Sequence, residues 1–415
     1  MLDIRFIRAN AELVKAAVAN KNEKADIDAI LVWDDKRRKL QFDFDTLKAR
    51  QNQVSTEIAT LKRAKADASQ LLEEMARVAD EVKALNQELT EVSNRLEGML
   101  LTVPNIPAEN VPVGRDESAN RVVKSWGEKP SFEFEPADHL AIAEANQFLD
   151  LARGAKISGS GFPVYKGKGA QLERALINFM LNYHIDHHGY EELNVPLLVT
   201  RQTMTGTGQL PKLENDMYHV DEDDLFLIPT AEVPVTNLYA GEVLPLASLP
   251  IKHVAYTACF RREAGSYGKD TKGLQRLHQF NKVEMVRFTE PEKSDAALEE
   301  MLVDAEHILQ SFGLHYRVLE LCTGDLSFAS ARTYDLEVWA PGTGKYLEVS
   351  SVSTFRDFQA RRANIRYRGP DGKPAFVHTL NGSGLATPRL MIALLESYQT
   401  GDKGLRLRDI LKVML

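Results

Sequence analysis

Cysteine is nearly absent from this chain: Cys259 and Cys322 are its only two in 415 residues. Two thiols cannot build a disulfide framework or a cysteine-rich zinc site, so each reads as a small buried apolar residue. Long apolar runs are missing as well. Met1-Leu2-Asp3-Ile4-Arg5 mixes acidic and basic residues among its apolar ones, so it holds no apolar run of signal-peptide length. No later stretch is long enough to span a bilayer, and a cytoplasmic protein without membrane contact is expected. Basic excess is missing too. With a formal net charge of −8, the surface is no general coat for nucleic acid, and any RNA contact must use local basic patches. No Gly-x-x-x-x-Gly-Lys-Ser/Thr loop occurs, and the glycine-rich stretch Gly154 to Gly169 does not match a dinucleotide fingerprint. His184, His187 and His188 lack a cysteine or acidic partner at zinc spacing, read as residues of a helix end, and lead to no zinc being expected.

Proline and glycine are absent from Trp33 to Glu97, which leaves helix uninterrupted. Leu40, Phe44, Leu47, Val54, Ile58 and Leu61 follow 4-3 spacing with Gln51 in register. Leu71, Met75, Val78, Val82, Leu85, Leu89, Val92, Leu96 and Met99 follow it again. The polar break from Arg63 to Ser69 between two such runs predicts two helices folded back as an antiparallel coiled coil. Such a pair would serve equally as a dimerisation element, a spacer or an arm. Lys62, Arg63 and Lys65 at its turn and 36–39 near its base could meet phosphates. The first 25 residues, with Ile4, Ile7, Leu13, Val14 and Val18, suit one short amphipathic helix. Pro104 and Pro107 end the helical half, which places a domain boundary near 105: residues 1–104, then 105–415. Beyond it helix and strand patterns interleave with strands in the majority, so the fold class is α+β, an antiparallel sheet flanked by helices behind a coiled-coil arm.

Phe260-Arg261-Arg262-Glu263 and Gln275 to Glu284 read as two strands joined by a glycine- and lysine-rich loop. On a strand Arg276, His278, Phe280, Lys282 and Glu284 share a face, as do Arg261 and Glu263. Such alternation also describes a solvated sheet face. Yet guanidinium for phosphate, a ring for a base and a carboxylate for an amine make a surface suited to a nucleotide. Phe-Arg-x-Glu followed by Arg-x-x-x-Phe-x-x-x-Glu resembles the second signature motif of class II aminoacyl-tRNA synthetases, in the form found in seryl-tRNA synthetases. The helix from Ala170 to Asp186 with the segment up to Pro196 is similar to the first motif. Asn381-Gly382-Ser383-Gly384-Leu385-Ala386-Thr387-Pro388-Arg389 is similar to the third, with Pro388 opening a helix and Arg389 in its first turn.

That resemblance implies a serine–tRNA ligase of the bacterial type, using ATP and Mg²⁺, with L-serine and tRNA(Ser) as substrates. It implies a homodimer and an N-terminal arm that grips the tRNA, and it leaves tRNA(Sec) open as a second acceptor. By resemblance Arg261 and Arg389 are catalytic. ATP falls to them and to Arg262, Glu263, Arg276, Phe280, Glu348, Val349, Ser350 and Ser351, and serine to Thr230, Ala231, Glu232, Arg261, Glu284 and Ser383. Glu348 and Ser351 hold the metal. In a regular strand Glu348 and Ser350 share a face and Ser351 does not, so Glu348 and Ser351 converge only at an irregular strand end. Val352 and Thr354 depart from the Cys and Asn of many relatives. Two other readings stand: a homologue that loads an amino acid onto a carrier protein, and a non-catalytic coiled-coil protein of the same shape. The intact arm disfavours the first, and the full set of site residues the second.

Overall fold

The Pro- and Gly-free stretch forms two helices, α3 (Ile27–Arg63) and α4 (Ser69–Leu100). They follow two short ones, α1 (Ile4–Ala9) and α2 (Ala11–Asn20). The computed structural model describes residues 1–264 and 273–414. The loop expected between the two motif strands, 265–272, lies outside the described residues. The chain separates into two compact units: Met1–Ala19 with Glu23–Pro104, and Asn20–Asn22 with the chain from Asn105 onward.

In the first unit Leu40, Val54 and Ile58 are buried on α3, and Val78, Val82, Val92 and Leu96 on α4. Lys36 pairs with Glu88 at 2.8 Å, Arg50 with Glu74 at 2.6 Å, and the Arg95 guanidinium lies over Trp33. Partner numbers rise on one helix as they fall on the other, so the pair is antiparallel. Exposed ion pairs of this kind add little stability but select this register. At 1.5 Å per residue the 37 residues of α3 reach about 55 Å. The single helix expected before residue 25 is two helices, because Asn10 leaves the helical conformation and its side chain donates to Phe6 O, ending α1.

The second unit is built on eight strands: β1 (Arg121–Trp126), β2 (Glu191–Leu193), β3 (Ile251–Phe260), β4 (Gln279–Thr289), β5 (Tyr316–Glu320), β6 (Arg332–Ala340), β7 (Lys345–Arg356) and β8 (His378–Ala386). Their order is β1-β5-β6-β7-β8-β4-β3-β2, antiparallel throughout except for β2 with β3. One face carries Val283, Met285, Leu336, Val338, Val352 and Leu380. It packs on α5 (Lys168–His188), α6 (Ser294–Ser311) and, after a short α7 (Phe358–Ala363), α8 (Thr387–Ser397), through Leu176, Met180, Leu298, Met301, Leu390 and Leu394. Burying that face forces the polar residues alternating with it to the other side. Both cysteines are buried and free. No described helix is long and apolar enough to cross a membrane.

Strand β3 stops at Phe260 and β4 begins only at Gln279, so Arg261 to Glu263 and Gln275 to His278 are not strand. The backbone N–H of Arg262 is diverted to Asp216 O (2.9 Å), and Glu263 sits at φ +50°. The ladder between the two strands ends at Phe260 opposite Gln279.

Arg287 on β4 is buried against the helices, donating to Tyr190 Oη (2.7 Å) and pairing with Asp304 and with Glu300 (2.9 Å). Removing one member of a buried pair strands the other charge. Asp304→Ala is therefore expected to lower stability by about 3 to 5 kcal/mol, whereas Glu300→Ala, at a partner 64% exposed, should cost under about 1 kcal/mol. Urea unfolding midpoints check the contrast.

Candidate active site

Opposite the helices, strands β4, β7 and β8 floor a cavity of about 750 Å³. Phe280, Lys282 and Glu284 reach it from β4, as period-two alternation requires. On β7 alternation is broken. Leu336 faces Ser350 but Glu337 faces Glu348, so Val349 is an extra residue in the ladder. This bulge turns both Glu348 and Ser351 toward the cavity. The expectation of an irregular strand end is corrected, since the irregularity lies inside a 12-residue strand. Strand β8 does the same: Ser383 faces Glu284, Leu385 faces Val283, and Gly384 is extra, so that Asn381, Ser383 and Ala386 all line the cavity.

One corner is acidic and hydroxyl-lined. Glu284, 1% exposed, accepts from Asn381 Nδ2 (2.7 Å) and Ser383 Oγ (3.4 Å) and is paired with Lys282. Beside it Glu232 accepts from Gln359 Nε2 (2.6 Å), and its backbone N–H donates to Thr230 Oγ1. Burial, then the Glu284 charge, pushes the Glu232 carboxyl up to about 7, against the Gln359 hydrogen bond, which lowers it.

The other end is cationic. The Arg261 guanidinium lies over the Phe280 ring, 5.1 Å from its centroid. Arg276 bridges to Glu263 at 3.2 Å. Arg389, in the first turn of α8 beside Pro388, donates to Glu348 O (2.7 Å) and lies 3.3 Å from the Glu348 carboxylate. Asp335, register partner of Ser351 on β6, shares that face, and its Oδ1 is buried without a hydrogen-bond partner. Burial and the Glu348 charge hold its carboxyl well above the ordinary range. A hydroxyl, a carboxylate and an orphaned carboxylate oxygen together fit a hard divalent cation. Among the described residues no group of three His, Cys, Asp or Glu has metal-holding geometry.

Of the expected residues, Thr230, Glu232, Arg261, Glu263, Arg276, Phe280, Glu284, Glu348, Val349, Ser351, Ser383 and Arg389 meet at this cavity. Arg262, Ala231 and Ser350 do not. Arg262 lies outside the lining, Ala231 is packed in an apolar cluster, and the Ser350 hydroxyl donates to Ser383 O. Sequence reasoning assigned no role to Gln359, Asn381 or Asp335. Asn381 and Gln359 stood inside segments that resemble the family, while Asp335 gains meaning only from a partner 16 residues away in the chain.

Two family descriptions match the chain: "Seryl-tRNA synthetase N-terminal domain" over 1–107 and "tRNA synthetase class II core domain (G, H, P, S and T)" over 214–398. A serine–tRNA ligase of Geobacter sp. (strain M21) is 52% identical over 99% of this chain and 98% of its own. One from Desulfitobacterium hafniense (strain Y51) is 53% identical over 100% and 99%. The crystal structure of seryl-tRNA synthetase from Pyrococcus horikoshii complexed with ATP superposes with a TM-score of 0.92, at 35% identity over 100% of this chain and 98% of that one.

Glu232 makes a pH test available. Its raised carboxyl keeps a proton in the folded protein that the unfolded chain has released, so its contribution to stability is lost as pH rises toward about 7. An ammonium group seated beside it reverses the shift and expels the proton. Serine binding is therefore expected to tighten between pH 6 and 7.5 and to release a proton. Calorimetry in buffers of different ionisation enthalpy should show that release in the wild type and not in Glu232→Gln.

Proposed function

The chain belongs to the seryl-tRNA synthetase family, and from that premise we propose that it activates L-serine with ATP to seryl-adenylate and pyrophosphate, then passes the seryl group to the 3′-terminal adenosine of tRNA(Ser). The observation that carries this reading is the pairing of two unlike halves in one cavity. A carboxylate and hydroxyl corner sized for a small amino acid adjoins an arginine and ring surface suited to a nucleotide triphosphate.

The serine ammonium sits between Thr230 and Glu232, and its hydroxyl meets Glu284 and Ser383. A buried polar pair left unmatched rejects alanine, while threonine is refused for lack of room. Phe280 stacks the adenine beneath Arg261, with Glu263 at the adenine side, and Arg276 turns from Glu263 to the nucleotide. The serine carboxylate is ionised at neutral pH and is itself the nucleophile at the α-phosphorus, so no protein nucleophile is needed. Catalysis rests on alignment and charge neutralisation, supplied by Arg261 and Arg389. Glu348 and Ser351, with Asp335 alongside, would hold Mg²⁺, which supplies further positive charge at the phosphates when bound. Pairing of Arg389 with Glu348 leaves both groups to be divided between phosphate and metal as ATP enters.

Residues 1–104 are proposed as the tRNA-binding domain and 105–415 as the catalytic domain, in a homodimer working in the cytoplasm. A match at the level of an N-terminal domain specific to seryl-tRNA synthetases favours tRNA over a carrier protein as acceptor.

Labelled serine, ATP, Mg²⁺ and total tRNA test the reading, with alanine and threonine as controls. Serine-specific charging is expected, and activation without charging would shift the acceptor to a carrier protein. In pyrophosphate exchange Glu284→Ala should raise the serine KM by about 10²-fold, as expected for losing charge-assisted hydrogen bonds, with the ATP KM little changed. Equal effects on both would remove Glu284 from the serine corner. Arg261→Ala should abolish adenylate formation in a protein whose circular dichroism is unchanged.

A further inference from the structure

The bulge that turns Ser383 into the cavity is held from outside the cavity. As the extra residue of β8, Gly384 has no cross-strand partner, and it is buried. A buried carbonyl without a partner costs free energy comparable to a lost hydrogen bond. His184, fully buried near the end of α5, supplies the partner: its Nε2 lies 3.0 Å from Gly384 O. The packing leaves no alternative residue at 384, because a Cβ there would fall 2.4 Å from His184 Nε2.

A carbonyl only accepts, so His184 Nε2 carries the hydrogen. Burial pushes His184 down to about 4, so the ring is neutral at pH 7 and its Nδ1 bears a lone pair. Facing that lone pair at 2.9 Å is His188 Nδ1, which must donate. His188 is likewise driven down to about 4 by burial, so its Nε2 accepts, and the donor 2.9 Å away is His307 Nδ1 on α6. Three imidazoles thus form a one-way chain of hydrogen bonds from α6 through α5 to the Gly384 carbonyl. Around it, Asp304 Oδ1 lies 3.7 Å from His188 Nε2, Arg287 holds Asp304, and His187 stacks on Tyr183 away from the chain. The neighbouring carbonyl is fixed too, since Ser350 Oγ donates to Ser383 O at 2.7 Å.

We propose that His184 is a positioning residue for amino-acid selection: it holds the β8 bulge so that Ser383 Oγ faces Glu284, and its own tautomer and orientation are set by His188 and His307. His184 does not line the cavity and touches no substrate. The role is distinct from the residues expected to contact serine, and it rests on the reading of that corner as the serine site.

Pyrophosphate exchange with serine, alanine and varied ATP tests it in three variants. H184L removes the donor, and H184Q places an amide N–H where Nε2 stood. H184L should raise the serine KM by about 10-fold, leave the ATP KM within about twofold, and narrow the preference for serine over alanine. H184Q should recover most of the serine KM. H307L, at the half-buried far end, should shift the serine KM in the same direction by a smaller factor, about two- to threefold, and it carries the test if H184L does not fold. Equal behaviour of H184L and H184Q, a parallel rise in the ATP KM, or an unchanged serine KM in H307L would overturn the positioning role. Absence of serine-dependent exchange in the wild type would instead overturn the enzymatic reading, so the two failures are told apart.

Discussion

A β-strand can show only every second side chain to one face, and this site needs more from its strands than that rule permits. Of the three adjacent strands that floor it, two meet the need by breaking register. On β4 the regular alternation of Phe280, Lys282 and Glu284 suffices. On β7 one extra residue at Val349 brings Glu348 and Ser351 to the same side, and on β8 one extra residue at Gly384 joins Ser383 to Ala386 and the α8 helix start. The rest of the unit follows from keeping those bulges. The apolar face must stay packed on α5, α6 and α8 while the polar face changes step, and the backbone groups that lose their ladder partners must be satisfied from elsewhere.

Charge at the site is arranged in pairs that a ligand must exchange. Lys282 with Glu284, Arg276 with Glu263 and Arg389 with Glu348 each join a cation to a carboxylate within the lining. Of these, Lys282 and Glu284 are both buried, and pairing leaves neither charge stranded, since an isolated buried ion costs several kcal/mol. Two carboxyls stand outside this scheme, Glu232 and Asp335, and both are pushed up by burial and a neighbouring carboxylate. They are the positions where an incoming positive charge gains most.

Much of this was legible in the sequence, for identifiable reasons. The coiled coil was readable because α3 and α4 pack on each other along one seam, which Val54, Val78, Val92 and Leu96 had to follow. The start of α8 was readable because Pro388 and Arg389 belong at a helix N-terminus. Arg261, Glu263 and Arg276 reached the cavity as expected, yet from loops and not strands: the Arg261 N–H makes one last bond in register, to His278 O, and the next N–H, of Arg262, turns to Asp216 O. The bulges were not legible, since register is decided by which backbone groups pair across strands and leaves no mark on a single segment. Arg262 and Ser350 each lie next to a lining residue, and local backbone geometry decides which neighbour faces in. The histidines of α5 were read as residues of a helix end, and His187 and His188 lie in its last turn. Their hydrogen-bond chain needed His307 from α6 and the Gly384 carbonyl, 200 residues beyond His184.

The most direct test of the account is a crystal structure with a non-hydrolysable seryl-adenylate analogue. The account predicts the serine hydroxyl against Glu284 and Ser383, the ammonium against Thr230 and Glu232, and the adenine stacked on Phe280 under Arg261. A serine hydroxyl directed away from Glu284, or an adenine seated off Phe280, would contradict it.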